Sequence, residues 1–191
     1  MDKIKNLYKN SKITFIFLTI MIVYFIFIAL NGGTTNMEAL VIYGAFFPPF
    51  ILKYGQYYRF ITSIFIHIGI THIFFNGYAL YIFGPQIEML LGAKKYLLFF
   101  ILTGIGGNLA TFFFDFFSVS AGASGSLFGI FGAFLYLIQH HKNMITPNGR
   151  RYILKLLLIN LALTVTIPSI SASAHIGGLV IGYLLSYIFI K

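Results

Sequence analysis

The sequence predicts an all-α, polytopic membrane protein built as a bundle of six transmembrane helices. Three observations carry that expectation. Hydrophobic residues make up 59% of the 191-residue chain and charged residues only 9%, proportions that do not describe a soluble domain. Six apolar stretches approach the roughly 20 residues that cross a bilayer as helix. The basic residues fall largely between those stretches.

The first stretch, 13–30, follows several lysines, but its apolar core is long and no small-residue cleavage site follows it, so it reads as a retained helix. Residues 30–60 are also apolar. There Gly32, Gly33, Gly44, Pro48, Pro49 and Gly55 interrupt the run too often for a helix that must satisfy its own backbone in lipid, and an interfacial loop is expected instead. The remaining spans are predicted at 64–83, 96–114, 123–139, 152–170 and 174–190. Residues 1–12 form a basic cytoplasmic tail touching anionic lipid, and 13–191 the six-helix domain.

Six spans put both termini on one face. That face holds Lys3, Lys5, Lys9, Lys12, Lys94, Lys95, Lys142, Arg150, Arg151, Lys155 and Lys191, against only Lys53 and Arg59 opposite. Basic residues in short loops stay in the cytoplasm, so both termini are expected there, in a cell membrane of bacterial type. Topology thus accounts for the net charge of +9. The partner is the lipid bilayer rather than a nucleic acid, because no basic face or aromatic-basic weave appears. Oligomeric state is not legible. The absence of cysteine excludes disulfides, thiolate metal sites and a cysteine nucleophile.

Against this apolar background a few polar residues stand out. Ser124, in Gly122-Ala123-Ser124-Gly125, begins the fourth stretch; His175, in Ala174-His175-Ile176-Gly177-Gly178, begins the sixth; His67, His72 and Asn76 occupy the second. The second, fourth and sixth spans run from outside to inside, so His72, Asn76, Ser124 and His175 share a depth near the outer surface. Gly125, Gly129 and Gly132 on one helix, and Gly178 and Gly182 on the other, allow the close backbone approach that packs helices in lipid. Such a contact brings Ser124 to His175.

A serine hydroxyl is a weak nucleophile until a neighbouring base takes its proton, and His175 is the candidate base. The oxyanion formed on the attacked carbonyl needs donors already in place. The Ser124 backbone N–H at a helix start supplies one; His72 and Asn76, four residues apart on one helical face, supply two more. Phe128, one turn after Ser124, faces the same way and can stack on the imidazole. This chemistry calls for no metal or cofactor. His67 and His72 share a face poorly, with no carboxylate nearby to complete a metal site.

These residues resemble the rhomboid intramembrane serine proteases over most of the chain. Gly122 to Gly125 is similar to the family's Gly-x-Ser-Gly motif. His175, Gly178 and Gly182 resemble its histidine followed by glycines, and His72 to Asn76 its His-x-x-x-Asn motif. Lesser matches are His67, the Gly84, Glu88 and Gly92 series, and an aromatic-arginine pair. The resemblance implies a Ser-His dyad without aspartate that cleaves transmembrane or membrane-proximal segments of membrane-protein substrates. It also implies an active site open to the outer face, entry gated by the fifth helix and the loop before the sixth, and a first loop inserted sideways in the outer leaflet. Ser169, Ser171 and Ser173 suit a wet outer cavity. Two positions depart from the family: its Trp-Arg pair is Tyr58-Arg59 here, and an asparagine common three residues before the histidine is Ala172.

Blander readings exist for each feature. Gly-Ala-Ser-Gly alone is a common helix contact, and an intramembrane histidine also suits transport. A transporter is disfavoured because internal repeats, broken mid-membrane helices and buried charge are not evident. A rhomboid-like binder of membrane clients that does not cut is disfavoured because serine and histidine are both present. His140 and His141 read as solvated loop, Asp115 as a helix end, and Glu88 as the partner of a basic loop residue.

Overall fold

The structure is a computed structural model that describes residues 9, 11–167 and 170–190. Ser169, Lys191 and most of the basic tail therefore lie outside the described residues. Six helices of 17 residues or more follow one another: α1 (Lys12–Leu30), α5 (Gly69–Leu91), α6 (Ala93–Phe114), α7 (Ser124–His140), α8 (Pro147–Thr166) and α9 (Ala172–Phe189). The glycine- and proline-rich first loop forms only short helices, α2 (Met37–Ile42), α3 (Pro48–Tyr54) and α4 (Arg59–Thr62). Among the described residues the only β pairing is an isolated bridge of Phe46 with Ser120.

Among the described residues three helices, α1, α6 and α9, are long and apolar enough to cross a membrane. A fourth candidate is the pair Arg59–Phe65 and Gly69–Leu91, bent by 92° at its break. α7 is 17 residues long, and α8 carries Arg150, Arg151 and Lys155 in its first half. The expected second stretch is displaced: its helix begins at Gly69 and runs to Leu91. Gly69 has φ +73, a left-handed conformation suited to glycine, and His67 lies in the bend rather than on the helix.

α7 is the central helix, with twelve of its seventeen residues buried. Its glycines meet α9 backbone to backbone. A Cβ at Gly178 would overlap the Gly125 carbonyl, one at Gly182 the Gly129 carbonyl, and one at Gly132 the Leu179 carbonyl. α6 closes on the same pair, where a Cβ at Gly107 would fall 2.7 Å from the Ala174 carbonyl oxygen. Without side chains in the way, dispersion between backbones replaces the hydrophobic force that lipid cannot supply.

Glu88 corrects one expectation. Its buried carboxylate meets no basic residue among those described; it accepts from the Ile13 and Thr14 backbone N–H groups at 2.8 Å each and from Thr14 Oγ1 at 2.7 Å. A carboxylate thus satisfies amides that the first turn of α1 cannot pair internally. In the first loop, buried Arg59 donates to the Val41 and Ala45 carbonyls and to Gln56 Oε1. One guanidinium ties three points of a segment that has little regular structure of its own.

Candidate active site

Ser124 is the first residue of α7, after Ala123 as N-cap. Helix starts leave N–H groups without intrahelical partners, and the Ser124 N–H is one of these. Two contacts hold the approach to it. The Gly122 N–H donates to the Ser63 carbonyl at 2.9 Å, and the Ala123 N–H donates to His67 Nε2 at 3.3 Å. Because His67 Nε2 accepts, its Nδ1 carries the proton and donates to the Phe65 carbonyl, 3.2 Å away. His67 is fully buried and acts on the loop before Ser124, a structural use its place in the bend makes possible.

His175 stands in the first turn of α9, buried, with its ring stacked on Phe128 at 4.1 Å between centroids and 18° between planes. Phe128 lies one turn after Ser124, and Gly178, one turn after His175, packs on Gly125. The serine and the histidine therefore stand at one level on two helices in backbone contact. Ser124 is half-buried, and its hydroxyl makes no hydrogen bond among the described residues.

His72 approaches from α5. A Cβ placed on Gly122 would lie 2.9 Å from His72 Nε2 and 3.7 Å from Ser124 Oγ, so Gly122 leaves open the space these two groups share. Gly122 has φ +131, a second reason for glycine there. His72 Nδ1 accepts from the Ile68 N–H at 3.3 Å, which leaves the ring's proton on Nε2, the nitrogen facing Gly122. Buried Asn76 donates one Nδ2 hydrogen to the His72 carbonyl at 3.0 Å, while its Oδ1 has no partner among the described residues.

The structure thus brings Gly122, Ser124, Gly125, Phe128, His72, His175 and Gly178 into one neighbourhood, with His67 behind the loop. Gly182 lies a turn further along α9, against Gly129. Among the described residues no group of three or more His, Cys, Asp or Glu side chains gathers where it could hold a metal ion. Ser171 caps α9 by accepting from the Ala174 N–H, and with Ser173 and Thr111 it forms a hydroxyl cluster beside the histidine's helix. His140 is not simply solvated, because its Nε2 lies 3.0 Å from the Tyr187 hydroxyl and 3.3 Å from that of Tyr183.

One contact escaped the sequence reading. Thr164, near the end of α8, places Oγ1 2.7 Å from His175 Nδ1. The available signal was polar Asn160 and Thr164, four residues apart in an apolar stretch, but nothing in the spacing said which helix they would face.

Comparison with known proteins bears on the family. The family model of the rhomboid domain matches residues 54–191. The chain is 38% identical over 178 residues to rhomboid protease GluP of Bacillus subtilis, covering 92% of this chain and 35% of that protein. It is 32% identical over 160 residues to rhomboid-like protease 1 of Toxoplasma gondii, covering 80% of this chain and 53% of the relative. Rhomboid protease AarA of Providencia stuartii is 28% identical over 202 residues, covering 93% of this chain and 72% of its own. The chain spans about a third of GluP and about half of the Toxoplasma protein. A family match over more than half of the chain, together with its apolar helices, makes this an integral membrane protein and a member of the rhomboid family.

Proposed function

We propose that this protein is an intramembrane serine endopeptidase that cleaves transmembrane or membrane-proximal segments of other membrane proteins by a Ser124–His175 dyad. The observation that carries the reading is the stacking of His175 on Phe128, one turn from Ser124, across a helix contact that leaves no room for a side chain. His175 takes the proton of Ser124 as Oγ bonds to the scissile carbonyl carbon, then gives it to the leaving amine as the C–N bond breaks. Water repeats the sequence on the acyl-enzyme. The Ser124–His175 hydrogen bond forms as substrate closes the site, since such bonds are often loose without it. The oxyanion meets the Ser124 N–H, the His72 Nε2–H and the second Nδ2 hydrogen of Asn76.

The same reading takes all six long helices as spans, with both termini in the cytoplasm and the site near the outer face. The distribution of Lys and Arg supports it, as do the occurrence of His72, Ser124 and His175 near the first residues of α5, α7 and α9. Residues 1–12 then serve as a basic tail and 13–191 as the protease domain.

The test needs no substrate. Purified protein is treated with a fluorophosphonate probe beside Ser124→Ala and His175→Ala, and the adduct is located by mass spectrometry. Adduct on Ser124 that depends on His175 is expected; a folded, lipid-supplied protein that reacts equally in all three forms refutes the dyad.

A further inference from the structure

Thr164 is buried, 4% exposed, and its hydroxyl has two neighbours. Oγ1 lies 2.7 Å from the backbone carbonyl of Asn160 and 2.7 Å from His175 Nδ1. A hydroxyl owns one proton, and a carbonyl can only accept. With the proton on the Asn160 carbonyl, the bond a threonine in a helix commonly makes, the oxygen meets Nδ1 with a lone pair. That nitrogen is then the donor, and in the neutral ring the other nitrogen, Nε2, is the unprotonated one.

We propose that Thr164 is a positioning residue that holds His175 in its Nδ1–H tautomer, leaving Nε2 as the base for Ser124. The proposal rests on the dyad reading for its use in catalysis, but the tautomer itself does not. Two contacts share the task of fixing the ring: Phe128 sets its plane, and Thr164 decides which nitrogen is basic. Among the described residues no carboxylate is placed to do this work. Of the four acidic residues, Glu88 is spent on α1, Glu38 lies in the first loop, Asp115 ends α6 and Asp2 lies outside the described residues.

A neutral hydroxyl orients imidazole as a carboxylate does but stabilises the imidazolium less. When Nε2 takes the Ser124 proton, Nδ1–H stays on Thr164 and no second proton moves. The acceptor also sits on a thinly packed helix, since among the twenty residues of α8 only Ile153, Leu157 and Thr164 are buried. The orientation of the base therefore depends on the outer end of α8 remaining against α9.

The test compares the full chain with Thr164→Val, close in shape but without the hydroxyl, and Thr164→Ser, which restores it. Nitrogen-15 shifts of histidine-labelled protein, with His175 assigned by its own variant, report the tautomer; fluorophosphonate labelling of Ser124 reports the base. The wild type is expected to show Nδ1–H. Thr164→Val should lose that signature and label about tenfold more slowly, less than the roughly 10²–10⁴ a general base contributes because the imidazole itself is still present, and Thr164→Ser should recover both. A Thr164→Val protein with wild-type tautomer and labelling rate overturns the proposal. So does a Thr164→Ser protein that keeps the Nδ1–H signature but labels as slowly as the valine variant, because packing alone then explains the loss. A signature that disappears in Thr164→Val while wild-type Ser124 never labels upholds the tautomer assignment and refutes the protease reading instead.

Discussion

Gly178 packs so closely on Gly125 that a methyl group at Gly178 would overlap the Gly125 carbonyl. Backbone cannot yield as a side chain does, so Gly178→Ala must push α9 away from α7. The expected cost is about 1–3 kcal/mol, the usual range for overpacking, and Ser124 labelling should fall with it because His175 is one turn away. Gly77→Ala is the control. A Cβ there would meet only Leu18, at 3.8 Å, and alanine suits a helix better by up to about 1 kcal/mol. Thermal unfolding in one detergent ranks the two variants; a Gly178→Ala protein as stable as Gly77→Ala would contradict the close contact.

Glu88→Gln keeps the size of the side chain but exchanges one acceptor oxygen for an NH2 group. Glu88 now accepts from the Ile13 amide on one oxygen and from the Thr14 amide and hydroxyl on the other; glutamine keeps one of these acceptors, and its NH2 group leaves the other amide without a partner. A loss of about 1–3 kcal/mol is expected, as for a buried hydrogen-bonding group left without its partner. The damage should show first at α1, as faster proteolysis or hydrogen exchange around Ile13 and Thr14. Labelling of Ser124 per folded molecule should be unchanged, since Glu88 lies at the opposite end of α5 from His72.

His67→Phe removes a ring that accepts from the Ala123 N–H and donates to the Phe65 carbonyl. The buried amide of Ala123 then loses its partner, at about 1–3 kcal/mol. Ala123 directly precedes Ser124, so the serine's rate of labelling should fall along with the melting temperature. A stable variant with unaltered labelling would mean that the loop is held from elsewhere, with the Ser63 carbonyl on Gly122 the remaining candidate.

Some of this was legible in the chain and some was not, for physical reasons. Long apolar runs and glycines at helical spacing are local signals, and they indicated the helices and a close contact of the fourth stretch with the sixth, which the structure makes at Gly125 and Gly178. The start of α5 was misplaced because residues 64–68 are as apolar as the helix they precede; the turn is made by Gly69 at positive φ, a choice that hydropathy does not register. Glu88 was assigned a basic partner because a buried carboxylate invites one, yet backbone amides at a helix start serve equally well. Thr164 was invisible for another reason: threonine in an apolar helix commonly bonds its own i−4 carbonyl, and only the placement of α8 against α9 reveals the second neighbour.

Asn76 separates stability from catalysis most sharply. Its Oδ1 is buried without a partner among the described residues, and its one hydrogen bond goes to the carbonyl of His72 in its own helix. An unpaired buried acceptor costs free energy, so Asn76→Ala should leave the melting temperature unchanged or raise it. In its proposed role as a donor to the oxyanion, the same amide is used only when the carbonyl oxygen becomes charged. Its removal should lower kcat by roughly 10²–10³ and leave KM within a few-fold, the pattern of an interaction made in the transition state alone. Steady-state kinetics on a model transmembrane substrate, with melting measured on the same preparation, distinguish the outcomes. A variant that loses stability while keeping kcat would place Asn76 among the packing residues of α5 and leave His72 and the Ser124 amide to hold the oxyanion.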